Sequence, residues 1–306
     1  MQIHELSTLS GNPASGTYLM VDNGTASRKL DYTKLAQAII EQYNGSTIAG
    51  SKQTVQSSVN ALYDVIGQVN VPAFHNSIYR GKNLGTSWTA AMSTAVSNGT
   101  FSDMFVGDYL TINNTVYRIA GFNLIKNVGD TNMSSNNVCF VPDSLLYSAQ
   151  MHNTDSGAYE SGAANNTTEG AYVNSDMRTT NLAQATQKIL NDFGSSHVIQ
   201  YRDYLTNATA DGQASGAAWT DCQVELMSEV MVYGTKVWGN SGYEVGGINF
   251  QLPLFRLNPE MIHRRSYYWL RSVRSATHFA DVSNYSYARY DSASYSFGVR
   301  PLFFVR

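Results

Sequence analysis

Charge is scarce in this chain: Asp, Glu, Lys and Arg make up 14% of its 306 residues, and the formal net charge is -3. Binding to a phosphate backbone needs a concentrated basic face. The pair Arg264-Arg265 is too short to supply one, so no nucleic-acid partner is expected. Cysteine is nearly absent. Cys139 and Cys222 lie far apart and match no zinc or redox spacing; a disulfide between them is open, and nothing in the sequence requires it. Long apolar runs are missing as well, and no stretch reaches the length of a membrane span. The start, MQIHELSTLSGN, has neither a basic opening nor an apolar core, so no secretory signal is read there. The expectation is a protein made soluble in a cytoplasm, with no membrane insertion.

Signatures of catalysis are equally sparse. The six histidines are scattered, no His-x-x-x-His pair occurs, and His4-Glu5 lacks the second histidine of a zinc-protease helix. There is no phosphate loop, dinucleotide fingerprint or Gly-x-Ser-x-Gly elbow. Glu225 and Glu229 would fall one turn apart on a helix, a spacing ordinary for a solvated surface rather than a catalytic pair across a cleft. No enzymatic activity, metal or cofactor is expected.

What is present is a large apolar fraction, 43%, enough for a substantial core, and a polarity carried by Asn, Ser, Thr and Tyr. In so Asn-rich a chain, the Asn-x-Ser/Thr triplets at Asn98, Asn207 and Asn284 read as surface polarity. Tyr18-Leu19-Met20-Val21 reads as a strand and Asp22-Asn23-Gly24 as a turn. Asp31 can cap a helix carrying Leu35, Ala36, Ile39 and Ile40 on one side. Residues 1–50 thus read as a small module, with Asn44-Gly45-Ser46 to Gly50-Ser51 as a linker. Val55, Val59, Leu62, Ile66 and Val69 are spaced four, three, four, three, the seam of a short coiled coil over residues 51–71. One amphipathic helix packed on its own domain fits the same pattern.

Beyond Pro72 the pattern is mixed. Leu84, Trp88, Met92 and Ala95 recur at helical spacing up to Asn98-Gly99. Tyr109 to Ile112 and Thr115 to Ile119 flank Asn113-Asn114, a pair suited to the positive φ angles of a two-residue hairpin. A helix is expected from Ser175 to Phe193, burying Leu182, Ala185, Ile189 and Phe193 and ending at Gly194. The segment from Asn153 to Asn174 reads as an irregular loop. Strands are expected at Val224 to Met227, Val230 to Tyr233, Tyr267 to Leu270 and Leu302 to Val305. Without regular βαβ alternation, the fold class is α+β.

The most informative stretch lies between Tyr268-Trp269-Leu270-Arg271-Ser272 and Gly298-Val299-Arg300-Pro301. Both flanks read as scaffold: Trp269 and Leu270 to bury, Gly298 for a tight backbone position, and Arg271 and Arg300 for fixed hydrogen bonds to buried oxygens. The residues between, about 273–297, are dominated by Tyr, Ser, Ala, Asp, Asn and Arg. That mixture suits an adaptable binding face. The candidate contact residues are Val273, Arg274, Ala276, His278, Asp281, Ser283, Asn284, Tyr285, Tyr287, Arg289, Tyr290, Asp291, Ala293 and Tyr295. A half-exposed strand with stacked rings is the plain alternative.

These flanks, with Val106-Gly107-Asp108-Tyr109, Tyr117-Arg118-Ile119-Ala120-Gly121-Phe122 and Leu226-Met227-Ser228-Glu229-Val230, resemble a C-type-lectin-like family of gut phages and bacteria. Its members include targets of diversity-generating retroelements. The resemblance runs from about Phe101 to the C-terminus and implies a C-type-lectin-like domain over residues 72–306, with variable residues on one exposed face. Neither Glu-Pro-Asn nor Gln-Pro-Asp occurs, so no calcium-mediated sugar site is expected. Tyr18 to Ala26 with Lys29-Leu30-Asp31-Tyr32 is similar to the attachment segment of phage tail and fibre proteins. Together these resemblances imply a virion protein, commonly a homotrimer, anchored to other virion proteins through its N-terminus. It would bind a bacterial surface receptor, protein or glycan, through the other end. A structural virion component, a capsid decoration or baseplate protein, is the second reading. An enzyme on the related formylglycine-generating architecture is the third, weakened because neither cysteine sits in a recognisable pair.

Overall fold

A computed structural model describes residues 71–131, 133–153, 167–240 and 247–306, with residues 57 and 59 and the backbone of 18–22 and 27–31. The chain separates into two units, Met1–Gln68 and Val69–Arg306. The expected coiled-coil segment straddles that division. In the first unit, β1 (Tyr18–Asp22) pairs antiparallel with β2 (Ser27–Asp31). Val59 is helical and exposed, whereas Val55, Leu62, Ile66 and Val69, with the helix expected after Asp31, lie outside the described residues.

The second unit is mixed α+β and mostly β. It opens with α1 (Pro72–His75) and α2 (Ala90–Ser97). The helical pattern read from Leu84 onward is corrected here: the helix starts only after Thr89, whose hydroxyl caps the N–H of Met92, while Leu84 donates its N–H to Tyr109. Then come β3 (Tyr109–Ile112), β4 (Thr115–Phe122), β5 (Val138–Pro142) and β6 (Ser148–Gln150). Asn113 and Asn114 take φ of 46° and 63° in the β3–β4 turn, as the pair's tolerance of the left-handed region allows. A π-helical turn (Met177–Asn181) leads into α3 (Leu182–Phe193), which buries Leu182, Ala185, Ile189 and Phe193 and stops at Gly194 with φ 86°.

Next is a long hairpin that the sequence reading missed, β7 (Tyr201–Ala210) with β8 (Gln213–Cys222), and then β9 (Val224–Leu226). Residues 230–233, expected as a strand, belong instead to α4 (Glu229–Tyr233). Ser228 accepts the N–H of Met231 at its start, and Gly234 ends it in the left-handed region, so two local caps override the β-branched composition. The chain closes with α5 (Pro253–Leu257), a 3₁₀ turn (Pro259–Ile262), β10 (Tyr268–Val273), β11 (His278–Val282), β12 (Ala288–Ser292), β13 (Ser296–Gly298) and β14 (Pro301–Val305).

Two five-stranded sheets organise the unit, in the orders β3-β4-β5-β14-β9 and β12-β11-β10-β13-β6. β14 is buried at every position and lies between β5 and β9. That is the pattern of a strand covered on both faces, and it places Phe303 against Phe140, Phe193 and Tyr117. Among the described residues, no helix is long and apolar enough to cross a membrane.

Candidate functional site

The frame forms first. β10 is buried at all six positions. Trp269 is wholly buried, donates its indole N–H to Ala149 O at 3.0 Å and packs on Phe297. Arg271 makes an ion pair with Asp203 of β7 at 2.7 Å, both side chains almost fully buried. Arg300, also buried, donates Nε to Pro142 O at 2.9 Å and lies over the rings of Phe255 and Tyr268. At Gly298 a Cβ would approach Leu145 Cδ1 to 2.3 Å, so no larger residue fits there without rebuilding the contact. Gly298 sits beside Tyr268 in a parallel pairing of β13 with β10. Because that pairing is parallel, the excursion leaves from the Val273 end of β10 and returns with Gly298 beside its Tyr268 end.

Within the excursion, β11 pairs with β12 from His278↔Ser292 to Val282↔Ala288. The bend is tied by Ser283 N–H to Tyr287 O at 3.0 Å, with Ser286 at φ 75°. This bend carries the two most exposed tyrosines of the hairpin, Tyr285 at 72% and Tyr287 at 54%, stacked with centroids 6.4 Å apart. Tyr290 is exposed on the outer strand and meets His278 edge-on at 5.6 Å. Arg274 lies over Tyr290 at 5.3 Å. Burial pushes the His278 imidazole below its ordinary range; Asp291 opposes this and Arg274 adds to it. Ala276 is exposed, while Asn284, Arg289 and Tyr295 are half-buried.

Five of the candidate contact residues are corrected. Val273, Asp281, Ser283, Asp291 and Ala293 are buried: β10 is covered throughout, and β11, between β12 and β10, is buried at four of its five positions, so alternation does not turn its side chains out to solvent. Phe279 and Asp281 pair with Asp291 and Arg289 on one face, leaving His278 and Tyr290 on the other. Asp291 is tied to Arg289 at 2.6 Å. Neither carboxylate oxygen of Asp281 has a hydrogen-bond partner among the described residues. Burial raises its carboxyl to about 8, helped by Asp291, so it is held as the neutral acid near neutral pH.

Trp238, not among the residues expected from sequence, stands against Tyr290 with centroids 4.8 Å apart and donates its indole N–H to Ala288 O at 3.0 Å. Its place is set by Glu229, whose carboxylate accepts the N–H groups of Val237, Trp238 and Gly239 at 2.6 to 3.2 Å. A lone aromatic in a Gly/Asn-rich stretch was the available signal. Glu229 and Glu225 are also corrected from surface to core. Glu225 receives the Tyr172 hydroxyl at 2.8 Å and pairs with Arg178 at 2.9 Å.

Cys139 and Cys222 are buried free thiols, both shifted upward by burial, a setting that suppresses thiolate chemistry. No group of three or more His, Cys, Asp or Glu side chains that could hold a metal occurs among the described residues. No protein-family model, curated protein or solved structure matches the chain.

Proposed function

We propose that the chain is a phage receptor-binding adhesin, with a C-type-lectin-like scaffold in residues 72–306 presenting a variable surface to a bacterial receptor. One observation carries the reading. A frame of buried Trp269, Arg271, Gly298 and Arg300 brackets a hairpin whose bend exposes Tyr285 and Tyr287. Large exposed aromatics cost solvation without adding to the core, and binding surfaces concentrate their energy in such residues. The contact surface on this reading is Tyr285, Tyr287 and Tyr290 with Arg274, Ala276, His278, Asn284, Arg289 and Tyr295. Trp238 extends it from outside the variable segment. The N-terminal segment serves attachment to other virion proteins, and residues 51–71 assemble a homotrimer in which weak contacts act together.

The test is competition. Purified full-length chain should bind cells of the host bacterium saturably and block adsorption of the phage that carries it. Cells that take up no protein, or phage that adsorbs unhindered at saturating protein, would refute the adhesin and favour a structural virion role. Diversification is tested in the flanking DNA, where a reverse-transcriptase gene and a near-copy of the segment encoding residues 273–297 are expected.

A further inference from the structure

We infer that the open pocket beside the hairpin bend binds a carboxylate-bearing sugar, an acidic residue of a surface glycan. This rests on the recognition reading above and names the ligand chemistry of that surface. The pocket, about 660 Å³, is lined by Pro259, Glu260, His263, Arg264, Arg265 and Ser286. Ser286 is the residue between the stacked tyrosines Tyr285 and Tyr287, so the pocket reaches the bend that carries the most exposed aromatic rings of the hairpin.

Arg264 of the lining belongs to a cluster that carries more positive charge than the protein neutralises. Asp143 is shared by Arg118 and Arg264, the latter at 3.3 Å. Arg300, just behind, forms no ion pair among the described residues: Nε goes to Pro142 O, Nη1 contacts the Tyr268 hydroxyl at 3.3 Å, and Nη2 has no hydrogen-bond partner. Nε of Arg264 is likewise buried without a partner. Glu260 is the one acidic residue of the lining, set against Arg264 and Arg265. The crowding is visible electrostatically. Burial, and then Arg300, push the Arg264 guanidinium down to about 10. Burial works to raise the Asp143 carboxyl, yet the arginines hold it below its usual range. An added carboxylate would relieve this excess, since a guanidinium fork matches it in a charge-assisted bidentate pair. The exposed tyrosine rings of the same bend offer a flat apolar face to a pyranose. A sugar acid uses both features, whereas a bare anion uses only the first.

Calorimetric titration of the full-length chain tests this, with tetragalacturonate, maltotetraose, inorganic phosphate and hexaglutamate as probes. Tetragalacturonate should bind saturably and maltotetraose at least about tenfold more weakly. The exposed Arg265→Glu should weaken tetragalacturonate by about tenfold or more with an unchanged melting temperature. Arg264→Gln should weaken it as well. Tetragalacturonate that fails to bind, or binds Arg265→Glu as well as wild type, overturns the inference. Phosphate or hexaglutamate binding as tightly as the uronate also overturns it, by showing a site for any anion. No bacterium enters this experiment, so its failure is separable from failure of the adsorption test.

Discussion

Replacing Arg271 by Ala should strand Asp203 as an uncompensated charge inside the protein. The ion pair spans 2.7 Å, and its side chains are 2% and 1% exposed. At an effective dielectric of about 20, Coulomb's law gives roughly 6 kcal/mol of attraction at that separation, set against a desolvation penalty of several kcal/mol per ion. Truncating one partner removes the attraction and keeps the other's penalty, so Arg271→Ala and Asp203→Ala should each cost about 3–5 kcal/mol. Asp203 also accepts the Tyr204 N–H at 2.9 Å, which places its variant at the upper end. The double variant should cost clearly less than the sum, with a coupling of about 2 kcal/mol or more. Urea unfolding followed by tryptophan fluorescence is the assay. Trp88, Trp219, Trp238 and Trp269 all lie within Val69–Arg306, so the signal reports that unit. Costs that add to within about 0.5 kcal/mol would refute the reasoning.

Three further outcomes follow from the same physics. Trp269→Ala should cost about 3–5 kcal/mol in the same assay, through a lost core ring and the indole bond to Ala149; a midpoint equal to wild type would contradict the frame. The Asp281 carboxyl is raised from 3.8 to about 8 by folding. Between those values the folded chain keeps a proton that the unfolded chain releases, so this group's stabilisation is full in acid and is lost as pH rises through about 8. Asp281→Asn should therefore gain stability over wild type between pH 5 and pH 9, read as melting temperature; parallel pH profiles would remove Asp281 as the cause. Light scattering of the full-length chain at micromolar concentration should give a trimer, and a monomer would dismiss the seam of Val55, Val59, Leu62, Ile66 and Val69.

Local chemistry made some elements legible and distance hid others. The β3–β4 hairpin was readable because Asn113-Asn114 tolerates the left-handed region, and α3 because four apolar residues recur at its period and Gly194 stops it. The β7–β8 hairpin was not readable. Ala, Thr, Asn and Gly dominate its outer half, and the apolar alternation that marks a strand fades there. Glu225 looked like a surface residue because its partner Arg178 lies 47 residues away, and Glu229 because its carboxylate is held by the backbone N–H groups of Val237, Trp238 and Gly239, which no side-chain pattern marks. The frame residues Trp269, Arg271 and Arg300 were readable by type, but Asp203 was not readable as a partner. The candidate face was half legible for a geometric reason. Composition marked the whole segment, yet only pairing of β11 with β12 decides that Tyr290 faces out and Asp281 in.

The central claim is that recognition lies in the exposed residues of this hairpin and stability in its frame. Tyr285, Tyr287 and Tyr290 are exchanged together for Ser in the full-length chain, and melting temperature and binding to host cells are measured on the same preparation. Exposed positions contribute roughly half a kcal/mol or less to folding, while aromatic anchors cost about 2 kcal/mol or more in binding. The account predicts melting within a few degrees of wild type and loss of most cell binding. Lost melting would place the tyrosines in the core, and undiminished binding with retained melting would place recognition elsewhere on the chain.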